Sequence, residues 1–368
     1  MVKLSNKIVN VINASGRMTK LGVSTQSSGV KEAMMYGADR YFLIDDLYVV
    51  AGKEIANILK VEDVVVTSSA SSAIAITVAG LICKDSEYLK VRLPREKEKI
   101  SKREVVIMKG HNIDYGVPIE TMIELGGGKV VEAGWANGIS EQDMLGCINE
   151  NTIAIMYVKS HHCVQKNMLS FEQVLEIGRK CNVPVIVDAA AETDFTKIYN
   201  AGAEFVIYSG AKTLLGPTSG FVECRSVEHA KNIRNQLYGI GRAMKIGKEN
   251  IFGLVEAVDE YINGEVKMAV TYEQLDGFIS EVNKIEGLSA VKSQDESGRH
   301  IYRAKVSFDE AVYGYSAKEM IEVLSKNTPP IYTRVHEANL GNLSFDPRPL
   351  TSVDDFARIL EALKRNKK

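Results

Sequence analysis

Continuous apolar runs, each ending in small or polar residues, dominate the middle of the chain: "DVVVTSSASS", "EVVIMKG", "TIAIMYVKS", "VPVIVDAAAE" and "EFVIYSGAK". Runs without alternation fit strands buried on both faces, as in a parallel sheet covered by helices. Between two of them, "SFEQVLEIGRKCN" has helical spacing and opens on a serine suited to an N-cap, which predicts a βαβ crossover. The first run continues through small hydroxyl residues into "AIAITVAGLI", an apolar helix. In open α/β sheets ligands collect outside the carboxyl ends of the strands. That edge is where the unusual residues stand.

On either side the pattern changes. The first sixty residues predict a helix with Leu4, Ile8, Val11 and Ile12 on its apolar face, then a Gly/Ser-rich segment, then a helix near Lys53–Leu59. "SEYLKVRLPREKEKISKRE" is dense in charge and reads as a solvated loop or insertion. Beyond about Asn250, "YRAKVSFDE", "SAKEMIEVLSK" and "DDFARILEALKRNKK" predict a smaller α+β domain. The expected organisation is an N-terminal segment over residues 1–60 packing on both domains, a large domain over 61–255 and a small one over 256–368.

Composition narrows the function classes. A formal net charge of -2 argues against a surface built for tRNA or DNA. No apolar run approaches the roughly 20 residues of a membrane span, and the N-terminus lacks a signal-peptide pattern. Cys83, Cys147, Cys163, Cys181 and Cys224 are scattered without a CxxC pair, as in reduced cytoplasmic proteins. A cytoplasmic enzyme is expected.

Two strand ends carry the candidate chemistry. Asp188 closes "VPVIVD" and Lys212 follows the next strand in "FVIYSGAK". Neighbouring parallel strands end at one crevice, so a carboxylate and an amine meet there. A structural ion pair would account for both, but desolvation offsets most of the attraction in a buried pair. The functional reading is a pyridoxal phosphate (PLP) site, with Lys212 forming a Schiff base and Asp188 keeping the pyridine nitrogen protonated. "TSSASS", Thr67–Ser72, could present backbone N–H groups and hydroxyls to the phosphate at a helix N-terminus, or serve only as a cap. Ser209 offers a further hydroxyl, and His111 in "VVIMKGHNIDYG" is either a ring-stacking residue or a loop histidine.

The ordered set "INASGRMTKLG", "TSSASSAIAIT", "KGHNIDYG", "VPVIVDAAAE", "YSGAKTLLGPTSGF" and "GRAMKIGKENIFGL" resembles the fold-type I PLP enzymes of the selenocysteine synthase-like group. Within that group it looks most like the D-glucosaminate-6-phosphate ammonia lyases. The resemblance covers roughly Val9 to Ala257, with a weaker echo in "LGNLSFDPRPL". It implies an aspartate aminotransferase-like α/β fold, with a large, mostly parallel seven-stranded sheet and a smaller α+β C-terminal domain. It also implies Lys212 as the Schiff-base lysine, Asp188 as the pyridinium partner, His111 as the ring stacker, and Ser68, Ser69, Ala70 and Ser209 around the phosphate. Ala190 would pack on the opposite ring face. Sites of this fold usually form between subunits, which implies a homodimer or larger homo-oligomer. Selenocysteine synthases of the group carry an N-terminal extension that engages tRNA; here "INASG" begins by Ile12, so a small molecule is expected instead.

For an amino-acid or amino-sugar-acid substrate, Arg348 in "FDPRPL" is the candidate carboxylate clamp, unless it is simply a surface residue in a proline-bounded turn. Arg242, Lys245 and Lys248 form a basic cluster; helical spacing after Gly241 would put Arg242 and Lys245 on one face, for a phosphate or for solvent. Arg17 is a further cation. His161 and His162 are adjacent, so on a strand they would point to opposite faces, and no metal is expected; one of them could line the substrate pocket. The expected reaction removes water and ammonia from an amino sugar acid phosphate to give a 2-keto-3-deoxy acid. The rivals are β-replacement, amino transfer, or a non-catalytic binding role.

Overall fold

The computed structural model describes residues 4–264, 268–295 and 298–368. The chain divides into two compact units, Gln26–Glu265 and a smaller one made of Met1–Thr25 with Val266–Lys368. The smaller unit begins with β1 (Ile12–Ala14). The larger holds β2 (Asp63–Thr67), β3 (Glu104–Met108), β4 (Lys129–Ala133), β5 (Thr152–Val158), β6 (Val185–Asp188), β7 (Phe205–Ser209) and β8 (Gly220–Cys224). The smaller unit then adds β9 (Leu288–Gln294), β10 (Tyr302–Phe308), β11 (Ile331–Thr333) and β12 (Asn342–Phe345).

In the larger unit seven strands lie in the order β2-β8-β7-β6-β5-β3-β4. The pairs from β4 to β7 are parallel, and β8 is antiparallel to both of its neighbours. Every residue of β2, β3, β7 and β8 is buried, as strands covered on both faces require. Because β2, β3, β5, β6 and β7 share one direction, Thr67, Met108, Val158, Asp188 and Ser209 all end on the same edge of the sheet. The crossover Phe171–Cys181 is a helix capped by Ser170, whose side chain accepts the Gln173 N–H at 3.2 Å.

The smaller unit has its own core. β9, β10 and β12 form an antiparallel sheet. Against it pack the amphipathic helices Tyr272–Val282, Ala317–Ser325 and Asp354–Arg365, with Phe278 stacked on Phe356 at a ring separation of 4.5 Å. Alternation of buried and exposed positions in β9 follows from a sheet with one solvated face.

Several local expectations change. Residues 4–7 form a turn rather than the start of a helix; Leu4 and Ile8 are 66% and 72% exposed, and Ile12 pairs with Ile331 in a short parallel ladder. Residues 1–3 of that segment lie outside the described residues. The charged stretch is not a loop: Glu87–Glu96 is a helix capped by Ser86 and anchored by the fully buried Leu93, with Tyr88 and Val91 exposed among its charges. The Gly/Ser-rich segment contains a helix, Ser28–Ala38, that was not anticipated. Its glycines allow close packing on the helix Lys248–Asn263. A Cβ at Gly37 would stand 2.8 Å from Phe252 Cδ2 and 3.0 Å from Glu249 Cα, and one at Gly29 would collide with Glu260. Lys248 caps the same helix by donating to the carbonyls of Gly37 and Ala38. Residues 26–60 thus belong to the larger unit and 1–25 to the smaller, so the expected boundaries at 60 and 255 shift to about 25 and 265.

Glu223 in β8 is fully buried, and neither carboxylate oxygen has a protein partner among the described residues. Burial, with the charge of Asp194 behind it, pushes its proton affinity well above the ordinary glutamate range. A group whose affinity rises on folding supports the fold at low pH and withdraws that support as pH climbs toward its folded value. Glu223→Gln is therefore expected to flatten the pH dependence of the urea midpoint between pH 5 and 9. Glu223→Met should add about 1–3 kcal/mol by removing an unsatisfied buried group.

Candidate active site

The site is built on the shared strand edge of the larger unit. After β2 the chain turns into the helix Ala70–Cys83, with Ser69 as its N-cap. Ser69 Oγ accepts the Ser72 N–H at 3.0 Å, while Ser72 Oγ accepts the Ser69 N–H at 2.9 Å. The serines are thus a cap as well as a candidate cup. Their reciprocal bonds leave the N–H groups of Ala70 and Ser71, which no helical carbonyl can reach, for an anion at the positive end of the helix. Ser68 Oγ lies 3.1 Å from Ser72 Oγ and stays half-buried at the same rim. β8 approaches so closely here that a Cβ at Gly220 would stand 2.6 Å from the Ser69 carbonyl carbon and 2.7 Å from the Ala70 nitrogen. Only glycine leaves that cradle open.

Asp188 ends β6, whose other three residues, Val185, Ile186 and Val187, pack in the sheet core. Burial raises its proton affinity; the charge of Lys212 and the N–H of Ala190, donated to Oδ1 at 3.1 Å, pull the other way. Lys212 is half-buried in the loop after β7, where its charge acts on Asp188. The loop is fastened from both ends. The Gly210 N–H donates to the Ser219 carbonyl at 2.9 Å and Gly216 to the Gly210 carbonyl at 2.9 Å, while Thr213 Oγ1 donates to Ala191 at 3.3 Å. A side chain at Gly210 would collide with the Ser219 hydroxyl. Ser209 is buried, and its N–H reaches the Ala190 carbonyl at 3.4 Å, which joins the two strand ends that carry the candidates.

His111 is not a loop-surface residue. It is 4% exposed, accepts the Val158 N–H on Nδ1 at 3.2 Å, and meets the Tyr157 ring edge-on at 4.8 Å. An accepting Nδ1 leaves the proton of the neutral ring on Nε2. Burial pushes its pKa down to about 4, so the ring is uncharged at neutral pH and offers a flat apolar face.

Two further residues were not singled out from sequence. Tyr115, within "KGHNIDYG", shares a hydrogen bond of 3.2 Å with Ser71 and is raised chiefly by burial, with Asp188 contributing. Cys163 sits past β5, where burial and the Asp188 charge push its thiol up to about 12. His111's place in the same motif was the available signal for Tyr115; nothing in the sequence pointed to Cys163. His161 and His162 lie in a turn after β5 rather than on the strand, with rings 4.0 Å apart, so they do not face opposite ways.

The basic candidates fall elsewhere. Arg242 lies in the 3-10 segment Ile240–Met244 and Lys245 is extended; both are exposed, and no helix runs from Gly241 to align them. Lys248 is occupied by carbonyls. Arg348 and Arg17 belong to the smaller unit. Arg348 donates Nε to Asp346 Oδ1 at 2.9 Å and Nη2 to Oδ2 at 2.6 Å. Arg17 is half-buried next to Gly16.

The fold is the aminotransferase-like fold type I. Thermus thermophilus aspartate aminotransferase superposes with a TM-score of 0.56 at 14% identity, covering all of this chain and 99% of the other. A structure of D-glucosaminate-6-phosphate ammonia-lyase superposes with a TM-score of 0.89 at 38% identity, covering 99% of this chain and 98% of that one. In sequence, the chain is 41% identical over 354 residues to the D-glucosaminate-6-phosphate ammonia lyase of Salmonella typhimurium (strain 14028s / SGSC 2262), covering 96% of this chain and 94% of the relative. It is 38% identical over 362 residues to a 5'-C-glycyluridine monooxygenase-decarboxylase of Streptomyces sp, covering 97% and 90%. The model of the SelA family, L-seryl-tRNA selenium transferase, matches residues 96–285. The fold and site therefore define a fold-type I enzyme of the class that works with PLP. More particularly, the chain belongs to the SelA family and is a homologue of D-glucosaminate-6-phosphate ammonia lyase.

The residues present suit PLP by their chemistry: an amine and a buried carboxylate on adjacent strand ends, a neutral ring beside them, and a helix start kept open by Gly220. Because folding depresses the His111 pKa, its contribution to stability is complete above the ordinary histidine range near 6.5 and is lost as pH falls toward about 4. Cofactor-free His111→Asn protein is expected to lack this acid-side loss, seen as a shallower fall in urea midpoint between pH 7 and 4.

Proposed function

We propose that the protein is a PLP-dependent ammonia lyase acting on an amino sugar acid phosphate of the D-glucosaminate 6-phosphate kind and releasing a 2-keto-3-deoxy acid phosphate. The observation that carries this is likeness to one such lyase over nearly the whole of both chains, together with Lys212 and Asp188 on neighbouring strand ends. Ser68, Ser69 and Ala70 with Ser209 would hold the cofactor phosphate, His111 and Ala190 the two ring faces, and Asp188 the ring nitrogen. When bound, PLP supplies a carbonyl that condenses with amines and a pyridinium that draws electron density from the adjacent carbon.

The chain's own groups do the rest. Asp188 would present its carboxylate to the ring nitrogen, with the charge of Lys212 and the Ala190 N–H opposing the effect of burial. Lys212 would be the base that takes the proton from C2, a role that needs reach from one face. The C3 hydroxyl departs as water, and hydrolysis of the resulting 2-imino acid takes one water back, so the net change is loss of ammonia. His111, held by the Val158 N–H and uncharged at neutral pH, would shield one ring face from water without competing for the proton. The proposal includes a cytoplasmic location and a homo-oligomer of two or more copies, because sites of this fold are usually shared between subunits. No helix among the described residues is long and apolar enough to cross a membrane.

A screen of phosphorylated and free amino sugar acids for ammonia and keto-acid release tests the reading. Lys212→Ala should lower turnover by roughly 100- to 10,000-fold and abolish the visible absorption of lysine-bound cofactor. Oxygen uptake with carbon dioxide release would instead favour chemistry like that of the monooxygenase-decarboxylase relative. Amino transfer to an added keto acid would favour an aminotransferase.

A further inference from the structure

The helix Ala70–Cys83, whose first turn forms the candidate phosphate cup, has a cavity at its other end. The cavity measures about 140 Å³. Gly80, Leu81 and Lys84 line it from that helix end, and Glu228, His229, Asn232 and Ile233 line it from the helix Val227–Asn235. The first helix has 14 residues, which at its rise per residue puts roughly 20 Å between cup and cavity. The two helices meet closely at Gly80, where a Cβ would stand 2.9 Å from Ile233 Cγ1 and 3.0 Å from Ile233 Cα. The cavity opens beside that contact, wholly within the larger unit.

Asn232 is the sign of an occupant. It is only 5% exposed, it borders the cavity, and its amide has no hydrogen-bond partner among the described residues. A buried amide left in that state costs stability unless a ligand or water completes it. His229 stands one turn earlier on the same helix. Its Nδ1 lies 2.7 Å from Glu204 Oε1, and an ionised carboxylate only accepts, so Nδ1 donates. In the neutral ring Nε2 is then an acceptor, and no described residue occupies it. The mouth carries one charge of each sign. Lys84 and Glu228 are exposed, and neither is ion-paired, with the other or with any described residue. Leu81 and Ile233 supply the apolar wall.

These groups sort a ligand by charge. A simple anion would gain Lys84 but face Glu228 and the negative end of the helix Ala70–Cys83; a simple cation would face Lys84. A molecule bearing both charges meets a complement for each. We propose that the cavity binds a small α-amino acid as its zwitterion. The ammonium goes to Glu228 and His229 Nε2, which offer only acceptors. The carboxylate goes to Lys84 and the Asn232 NH2 group, and the Asn232 oxygen remains as a further acceptor for the ammonium. A short side chain rests on Leu81 and Ile233. Size agrees, since a cavity of about 150 Å³ accepts a six-carbon ring, and alanine has a similar number of non-hydrogen atoms. This is a binding site at the far end of the cup helix, and it holds whatever the enzyme turns over.

Lys84 and Glu228 each also suit the dipole of their own helix, so a melting temperature does not separate a ligand role from a capping one. Binding has to be measured directly. The protein, loaded with cofactor, is first treated with borohydride, which reduces a lysine–cofactor imine to an amine and so keeps any probe from condensing with the cofactor carbonyl. L-alanine, propionate and ethylamine are then titrated by calorimetry. Wild-type protein should bind one alanine per chain and bind propionate and ethylamine at least about tenfold more weakly. Asn232→Leu, which nearly keeps the volume, and Glu228→Gln should each weaken alanine roughly tenfold. Lys84→Gln should weaken alanine to a similar degree and leave ethylamine no weaker than in the wild type. Unchanged alanine affinity in both Lys84→Gln and Glu228→Gln, exposed positions where the fold tolerates the change, would overturn the assignment and place the heat at another site. So would propionate binding as tightly as alanine, the mark of an anion site. Absence of alanine binding by the wild type would also overturn it, and leave the cavity to water.

Discussion

A carboxylate withdrawn from water needs a cation, and the larger unit is arranged around that need. Asp188 ends a strand whose other residues are apolar, so burial alone would drive it toward its neutral form. Lys212 counters this from the neighbouring strand's loop. The two are brought together by register, since β6 and β7 run parallel with Asp188 opposite Ile207. The Lys212 loop is in turn held by backbone bonds from Gly210 and Gly216, so little freedom remains in where the amine sits. As a resting ion pair this arrangement would contribute little to stability. In the proposed role, facing a cofactor ring, the same desolvation would work to advantage.

Much of this was legible in the sequence because doubly buried strands leave a simple signature. β2, β3, β5, β6 and β7 are each a run of apolar residues, and the residue following each run is at the sheet edge by construction. Position along the chain therefore becomes position along one sheet edge for Ser68, His111, Asp188 and Ser209. The legibility failed where local composition misleads. Gly29 and Gly37 suggested a loop, yet they sit inside a helix because a neighbouring helix lies where their side chains would be. The charges of Glu87–Glu96 suggested solvent, yet one buried leucine is enough to seat a helix there. Leu4, Ile8, Val11 and Ile12 matched a helical period, but the pairing of β1 with β11, more than three hundred residues away, decides the local conformation. No window of sequence contains that information.

The arginines of the smaller unit show a different limit. Sequence identifies Arg348 as a fork between prolines, but not that Asp346, two residues earlier, already occupies it. Nor does it show that Arg334 is the one left without an acidic partner among the described residues. Which guanidinium meets a carboxylate depends on pairing across β10, β12 and the turn at Gly16, and is settled only when the strands are in register.

The bare start of β8 has a bearing on how enzymes of this family diverge. Backbone meets backbone at Gly220, and Thr67 pairs with it in the ladder, so even a methyl group there would force a strand out of place. A pocket wall made of main chain is closed to point mutation. Any change in what this rim holds would therefore have to be written in the side chains around it, those of Ser68, Ser69 and Ser71, while the main-chain wall stays as it is.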